Sequence, residues 1–298
     1  MLTDSDFSAP VLDAIDDPRL RERNITLRML RLDRIHPLVS GNKWYKLKHN
    51  LLAARAESQN TVLSFGGAYS NHIVALAAAS RLSGLRSIGV IRGEAPKVLN
   101  PALRFAQQQG MTLHFISRSD YRHKADPESI EALEQRFGNF YLIPEGGSNL
   151  LGIKGCAEIA GHLRWQREHC PHLVLMACGT AATLTGVLSA ASSDCEIVGV
   201  SVLKGPDSLS PQVSSWLHTL GCAPAARWCI NTQFHHGGYG KTNPALDDFM
   251  MAFEARTRIA LEHVYTGKMM WGLYQMIESG EIAAGSELIA LHTGGLRQ

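Results

Sequence analysis

Short apolar runs rich in β-branched residues recur along the chain, and longer stretches with helical spacing separate them. Glycine, proline or asparagine marks most of the joins. The predicted strands are 61–65, 87–91, 112–116, 140–143, 173–177, 196–201, 228–231 and 287–291. The predicted helices between them are 71–83, 101–109, 127–137, 152–168, 182–191 and 244–257. Near-continuous apolar strands that alternate with helices are typical of parallel sheets covered on both faces. The pattern therefore predicts an α/β fold.

The number of predicted strands sets the expected architecture. So many strands exceed the usual size of one compact sheet, so we expect two open, twisted, mostly parallel sheets flanked by helices. A chain of 298 residues is long enough for one large or two modest domains.

Composition and charge restrict the class of protein. Hydrophobic residues make up 45% and charged residues 19%, which is ordinary for a globular enzyme. The net charge of +2 comes from 29 basic and 27 acidic residues that are interleaved, so no nucleic-acid surface is expected. No apolar run is long enough to span a membrane, and the acidic N-terminus lacks the features of a signal peptide. We therefore expect a cytoplasmic protein with neither nucleic acid nor membrane as a partner.

The cysteines and histidines predict neither a disulfide framework nor a metal site. The 6 cysteines are irregularly spaced without a CxxC pair, which favours reduced thiols. The 13 histidines show no second ligand at the spacing that a metal site needs, so no metal is expected.

Candidate chemistry begins at Lys43, in the segment SGNKWYKLK. This lysine follows a Gly-Asn pair and opens a predicted helix. Loss of solvation and the positive end of the helix dipole both favour a neutral, nucleophilic amine, as attack on a carbonyl requires. The alternative is that Lys43, Lys46 and Lys48 form only the solvated face of a helix.

A second candidate segment is SFGGAYSNH, which delivers Ser70 and Asn71 to the start of another predicted helix. The hydroxyl of Ser70 and the amide of Asn71 could flank a ligand bound to Lys43. The alternative is a helix N-cap, where both residue types are favoured. The preceding Gly66-Gly67 pair favours the ligand interpretation, because it allows close approach of the backbone.

The segment ACGTAATLTG follows the predicted strand 173–177 and opens a helix. Small residues, threonine hydroxyls and a helix N-terminus predict a phosphate cradle without any cationic side chain, at Gly179 to Thr183. The alternative is a tight strand-to-helix turn. The segment matches neither a Walker loop nor a dinucleotide fingerprint.

Several motifs occur in the order found in one enzyme family. They are SGNKWYKLK, GGAYSNH, YLIPEGGSNLLG, ACGTAATLTG, VYTGK and HTGG, and they extend over about 32–295. On these motifs the chain resembles the D-cysteine desulfhydrase and 1-aminocyclopropane-1-carboxylate (ACC) deaminase family. Members of that family are pyridoxal-phosphate (PLP) enzymes with a tryptophan-synthase-β-like fold.

The resemblance implies a division into two domains. A smaller α/β domain, 49–143, would be inserted into a larger PLP-binding domain formed by 1–48 and 144–298. The cofactor would lie in the cleft between them, where α/β proteins usually bind ligands. A homodimer that acts on a small amino acid is expected on the same ground.

The resemblance also assigns roles to individual residues. Lys43 would hold the PLP aldehyde, Asn71 would contact the phenolic oxygen, and Ser70 would lie beside the reacting carbon of the substrate. Tyr265 and Tyr239 would complete the catalytic group. The phosphate would be bound by Gly179, Thr180, Ala181, Ala182 and Thr183.

Two positions separate the activities of the family. ACC deaminases carry Tyr-Glu-Gly-Lys and His-Leu-Gly-Gly, whereas this chain has threonines at Thr266 and Thr293, which resemble those of D-cysteine desulfhydrases. In the family these residues face the ring nitrogen and the cofactor edge. A carboxylate there would strengthen the electron sink, whereas a hydroxyl suits a neutral nitrogen. Expelling a thiolate needs less activation than opening a cyclopropane.

The function expected from the sequence is therefore α,β-elimination from a small D-amino acid, D-cysteine giving pyruvate, ammonia and sulfide. The alternatives are ACC deaminase activity on the same scaffold and a non-catalytic protein that binds PLP or an amino acid. The segment 204–211 and the short C-terminus have no assigned role.

Overall fold

The protein consists of two mostly parallel sheets with helices on their faces. The structure is a computed structural model that describes residues 2–163 and 171–295. The strands are β1 (Leu12–Ala14), β2 (Thr26–Arg31), β3 (Thr61–Gly67), β4 (Arg86–Arg92), β5 (Thr112–Ile116), β6 (Tyr141–Ile143), β7 (Leu173–Cys178), β8 (Glu196–Ser201), β9 (Arg227–Asn231) and β10 (Glu287–His292). This arrangement confirms the predicted α/β fold.

The helices alternate with the strands over most of the chain. They are α1 (Pro18–Arg21), α2 (Asn42–Ala56), α3 (Asn71–Leu82), α4 (Pro101–Gln108), α5 (Pro127–Phe137), α6 (Leu150–Ala157), α7 (Ala182–Ala190), α8 (Leu209–Thr219), α9 (Pro244–Thr257) and α10 (Thr266–Glu278). Short 3₁₀ turns lie at Asp4–Asp6, Leu32–Arg34, Asp120–His123, Glu145–Gly147 and Glu158–His162.

The two sheets are built from different parts of the chain. The larger has the order β1-β2-β10-β7-β8-β9, and all its pairs are parallel except β1 with β2. The smaller has the order β5-β4-β3-β6 and is wholly parallel. Its strands all come from 61–143, whereas the larger sheet takes strands from both ends of the chain. We keep the division into domains at 48/49 and 143/144 as a proposal.

Apolar packing on both faces explains why the central strands are so continuously hydrophobic. β7 is buried along its whole length, and β3 is buried except at its last residue. One face of the larger sheet packs on α9 and α10 through residues such as Met29, Leu175 and Phe253. The other packs on α6 and α7, for example through Val174 and Val187. Burial of this kind is the main stabilising contribution in such a fold.

All the strands predicted from the sequence are present, but β1 and β2 were missed. β2 was not recognised because arginines interrupt its apolar pattern. Arg31 is nevertheless buried, with its guanidinium paired to Asp13 at 2.8 Å and to Asp33 at 2.7 Å. Such charge-assisted pairs satisfy the side chain inside the protein.

The helical predictions were less complete. α1, α8 and α10 were not predicted, and α8 begins within the segment 204–211 that had no assignment. The helix predicted over 152–168 is α6 followed by a 3₁₀ turn that ends at His162, and 164–168 lie outside the described residues. In the described part of the chain, no helix has the length and apolar character needed to cross a membrane.

One close backbone contact brings the start of α2 to the end of β10. Gly41 has φ +73°, and a Cβ at this position would lie 2.0 Å from the carbonyl oxygen of Thr293. The N–H of Asn42 donates to the same oxygen at 3.3 Å. Only glycine allows this approach, which sets Lys43 beside the carboxyl ends of the strands.

Candidate active site

A cavity of about 420 Å³ opens where the carboxyl ends of β3, β4 and β7 face the first turns of α2, α3 and α7. Its size lies in the range of small-molecule sites, and its position matches the usual ligand crevice of α/β proteins. It is lined by these predicted site residues: Lys43, Ser70, Asn71, Gly179, Thr180, Ala181, Thr183, Tyr239, Tyr265 and Thr293. The fold therefore collects side chains from segments more than two hundred residues apart.

Lys43 lies in the first turn of α2, with its amine turned toward the cavity. Nζ donates to Oδ1 of Asn42 at 2.7 Å. Burial, with a smaller contribution from the charge of Lys46, lowers the pKa of Lys43 to about 7. A substantial fraction of the amine is therefore neutral at neutral pH, as a nucleophile or a base requires.

The turn before α7 forms a cradle for an anion. Ala181 adopts φ 58°, and the helix that follows has no side-chain cap. The first N–H groups of a helix lack intrahelical acceptors, so this end is suited to a phosphate. Thr180 and Thr183 add two hydroxyl groups at the cavity.

The cradle contains a cation, so the prediction that it lacks one was wrong. Nζ of Lys46 donates to Oγ1 of Thr180 at 3.2 Å, and Oγ of Ser148 donates to the same oxygen at 2.7 Å. Lys46 is buried, and burial lowers its pKa. Its position would place a positive charge beside a bound phosphate.

A hydrogen-bonded chain connects the cradle to Lys43. Nδ2 of Asn42 donates to Oγ1 of Thr183 at 2.9 Å, while Oδ1 of Asn42 accepts from Lys43. Because Thr183 accepts from the amide, its own O–H remains able to donate toward the cavity. The buried amide of Asn42 thus fixes the amine and the cradle relative to each other.

Ser70 is both a helix cap and a cavity residue. Its Oγ accepts from the N–H of Ile73 at 3.3 Å, which caps α3, and Asn71 begins that helix. A Cβ at Gly66 would lie 2.5 Å from Ile73 and 2.8 Å from Ser70. Contacts within the protein therefore account for Gly66, whereas Gly67 lines the cavity. The cap and ligand interpretations of Ser70 are compatible.

His72 contributes a polar atom that sequence reasoning did not single out. Its ring is buried and lines the cavity, and Nε2 lies 2.8 Å from Oγ of Ser64. Nδ1 has no partner among the described residues. Burial, with smaller contributions from Lys43 and Lys46, holds the pKa of His72 well below its usual value, so the ring is neutral. A buried polar atom of this kind is satisfied by water or by a ligand.

Tyr265 and Tyr239 meet on the side of the cavity formed by the larger sheet's segments. Their hydroxyl oxygens are 3.4 Å apart and their rings are edge-on, with centroids separated by 6.0 Å. Nζ of Lys43 lies 5.9 Å from the centroid of the Tyr265 ring. Burial is the largest cause of the raised pKa of both tyrosines, so both hydroxyls stay protonated and can donate.

Two charged residues hold the tyrosines without lining the cavity. The carboxylate of Glu262 accepts from the N–H of Tyr265 at 3.0 Å, and burial raises the pKa of Glu262 to about 7. Nζ of Lys268 donates to the carbonyl oxygens of His235 at 2.9 Å and Gly238 at 2.7 Å. Lys268 thereby fixes the loop that carries Tyr239.

Ala182 and Thr266 are the predicted site residues that do not line the cavity. Thr266 is fully buried at the start of α10. Its Oγ1 accepts from the N–H of Glu262 at 2.8 Å and lies 3.3 Å from the carbonyl oxygen of the same residue. Thr293 does line the cavity. Of the two threonines used to separate the activities, only Thr293 is therefore in a position to touch a ligand.

Sequence reasoning missed Asn42 and Lys46 as site residues, and only Lys46 carried a signal. Lys46 is three residues after Lys43 in one helix, and residues at that spacing share a face. A cavity position for Lys43 therefore indicates one for Lys46 as well. Asn42 directly precedes Lys43, but its bond to Thr183 joins residues 141 positions apart, and no local pattern predicts that.

Comparison with protein families gives one match over almost the whole chain. Residues 17–294 match the model of the family described as pyridoxal-phosphate-dependent enzyme.

Relatives and solved structures agree with that match. The chain is 28% identical over 278 residues to the bifunctional D-cysteine desulfhydrase/ACC deaminase of Arabidopsis thaliana, covering 87% of this chain and 69% of the relative. It is 26% identical over 281 residues to the D-cysteine desulfhydrase of Salmonella newport, covering 89% and 86%. A crystal structure of an ACC deaminase homologue superimposes with a TM-score of 0.83 at 24% identity, covering 97% of this chain and 90% of the other.

Proposed function

The chain belongs to the family of pyridoxal-phosphate-dependent enzymes, and from that premise we propose that it is a lyase that eliminates the β-substituent of a small D-amino acid. D-cysteine is the substrate we expect, with pyruvate, ammonia and sulfide as products. The observation that carries the proposal is the amine of Lys43, with a pKa of about 7, in one cavity with an uncapped helix end.

The residues around the cavity fit PLP on physical grounds. The first turn of α7, the hydroxyls of Thr180 and Thr183 and the ammonium of Lys46 provide donors and positive charge for the phosphate. Lys43 is the amine for the aldehyde, and Asn71 offers an amide to the ring substituents. Bound PLP would supply an aldehyde that links to amines and a conjugated ring that accepts the electron pair left by α-proton removal.

Proton transfer is assigned to Lys43 and Ser70. The neutral amine of Lys43 can take up a proton, because its pKa is about 7. Oγ of Ser70 caps α3 at the cavity, so its O–H remains free to pass a proton to or from the substrate. The hydroxyl of Tyr265 is held protonated and donates toward the substrate or to Tyr239.

The substrate is bound by its carboxylate at the start of α3 in this proposal. The N–H groups of Asn71 and His72 belong to the first helical turn, where no intrahelical acceptor exists. The helix dipole adds favourable charge there. The substrate's α-carbon would then lie near Ser70.

The absence of an available carboxylate supports thiolate elimination over cyclopropane opening. Glu145 is the acidic residue among those that line the cavity in the described part of the chain, and it is paired with Lys124 at 3.3 Å. Thr293 offers a neutral hydroxyl. This environment suits a neutral ring nitrogen and a weaker electron sink, which is enough for a good leaving group.

The test is to incubate the purified holoenzyme separately with D-cysteine, L-cysteine, D-serine and ACC and to measure the keto acid formed. We expect pyruvate and sulfide from D-cysteine and almost no keto acid from ACC. Lys43→Ala should abolish turnover, whereas Lys48→Ala, which changes a lysine of the same helix outside the cavity, should not. Turnover of ACC without turnover of D-cysteine would reverse the ranking of the two activities.

Assembly and location remain proposals. We propose a homodimer in the cytoplasm, in line with the family resemblance and the composition. Light scattering of the purified protein and fractionation of cells that express it would test the two statements.

A further inference from the structure

Arg92 is a charged residue of the cavity that the proposed mechanism does not use. It ends β4, and its register partner in β3 is Gly67, just before the turn that leads to Ser70. Because residue 67 has no side chain, nothing at that position separates Arg92 from the turn. The guanidinium lies at the exposed rim and forms part of the cavity lining.

The guanidinium of Arg92 has no carboxylate and no hydrogen-bond acceptor as a partner among the described residues. It packs over the ring of Tyr121, whose centroid lies 5.7 Å from Cζ. An arginine left without a carboxylate at a ligand cavity is well suited to an anion, because its planar fork binds carboxylate or phosphate through two parallel hydrogen bonds.

The other charged side chains of the cavity already have a protein partner or an expected ligand. Lys46 lies at the phosphate cradle, and Glu145 is paired with Lys124. The first turn of α3 takes the α-carboxylate of the substrate. Lys43 is assigned to the aldehyde, so Arg92 is the cation left without a ligand among the described residues that line the cavity. It lies toward the opening, where a substituent that extends away from the α-carbon would point.

Resting on the proposed elimination, we propose that Arg92 is a specificity residue for an anionic group on the substrate's β-substituent. The preferred substrates are then D-amino acids whose β-substituent ends in a carboxylate, sulfonate or phosphate. D-cysteine itself is turned over without this contact. Tyr239, half exposed on the facing loop, closes the other side of the rim.

The reaction balances without any oxidant or reductant. For a thioether substrate the Cα–H and Cβ–S bonds break, and the thiolate leaves with the electron pair of the Cβ–S bond. Addition of one water releases ammonia, so the products are pyruvate, ammonia and the free thiol. The anionic group stays on the departing thiol and is chemically unchanged.

The activity test uses two substrates that differ in charge but hardly in shape, S-carboxymethyl-D-cysteine and S-carbamoylmethyl-D-cysteine. We expect the holoenzyme to favour the carboxylate in kcat/KM by about two- to five-fold, because Arg92 is exposed and solvent screens its ion pair with the ligand. Arg92→Gln should remove this preference and leave kcat/KM for D-cysteine within about two-fold. Arg86→Gln is the matched control, since Arg86 is an exposed arginine at the opposite end of the same strand.

Binding gives a second readout that does not depend on elimination. D-glutamate and D-glutamine have no β leaving group, so calorimetric titration of the holoenzyme compares charge alone. If D-glutamate binds more tightly than D-glutamine, and Arg92→Gln removes the difference, the proposed role of Arg92 is supported. This holds even if no substrate is turned over, because the absence of turnover would refute only the proposed elimination. Turnover of D-cysteine with equal binding of the two ligands overturns the role of Arg92. An equal loss for charged and neutral ligands in Arg92→Gln also overturns it, because Arg92 would then serve the shared α-carboxylate.

Discussion

Removing the hydroxyl of Thr183 tests whether the turn before α7 is a phosphate site. Oγ1 of Thr183 accepts from the amide of Asn42 at 2.9 Å, which leaves its O–H to donate into the cavity. In Thr183→Ala both bonds are lost, but they affect different quantities. The bond to phosphate exists only with PLP bound, whereas the bond to Asn42 exists in the free protein as well.

The size of each effect follows from this separation. A hydrogen bond to a charged group contributes about 1.5–3 kcal/mol, so the Kd for PLP should rise about 10- to 150-fold. The buried amide of Asn42, left without its acceptor, should lower the free energy of unfolding of the cofactor-free protein by about 1–3 kcal/mol. Thr183→Ser keeps the hydroxyl and should show little of either change.

The assay is absorbance titration of PLP into the cofactor-free protein, together with denaturant unfolding of the same samples. Thr185→Ala is the matched control, since the hydroxyl of Thr185 donates to the carbonyl oxygen of Ala181 at 3.2 Å and does not line the cavity. It should lose stability while keeping its Kd. If Thr183→Ala binds PLP as tightly as the parent protein, the segment is only a turn.

Three further changes test other parts of the site. The rate at which the cofactor-free protein reacts with PLP should rise with pH through a midpoint near pH 7, because the ammonium of Lys43 loses its proton there. Lys46→Gln should raise the pH of this midpoint, because it removes a neighbouring positive charge. A rate that does not change below pH 9 would contradict the lowered pKa of Lys43. Ser70→Ala should retain PLP, measured by its visible absorbance, and lower kcat by about 10²–10⁴ if its hydroxyl transfers a proton, whereas an unchanged kcat would leave it only a cap. Lys268→Met should increase amide hydrogen exchange in the loop that carries Tyr239, because two charge-assisted bonds are lost, and equal exchange in both proteins would show that other contacts hold the loop.

The sequence alone determined the fold class and most of the elements that surround the cavity, although not α10. Strands such as β3 and β7 are apolar throughout, because helices cover both faces, and this pattern is local. The turns that deliver Ser70 and Thr183 are also encoded locally, by small and glycine residues between a strand and a helix. The cofactor followed from the order of the motifs, through resemblance to a known family.

The tertiary structure decided which side chains meet. Lys46 reaches Thr180, and Asn42 reaches Thr183, across more than a hundred residues of chain. Tyr265 lines the cavity, whereas Thr266 and Lys268, in the helical turn that follows it, do not. The direction of a side chain at a helix start depends on how that helix packs against its sheet.

The physical reason is the range of the interactions. Hydrophobic period and turn chemistry act between residues close in sequence, so they can be recognised one segment at a time. Hydrogen bonds and desolvation depend on atoms a few ångströms apart in space, whatever their separation along the chain. The pKa of Lys43, about 7, is set by burial in the assembled cavity and by the charge of Lys46. The charge of Arg92 has no ion-pair partner because the fold places no carboxylate of the described structure against it.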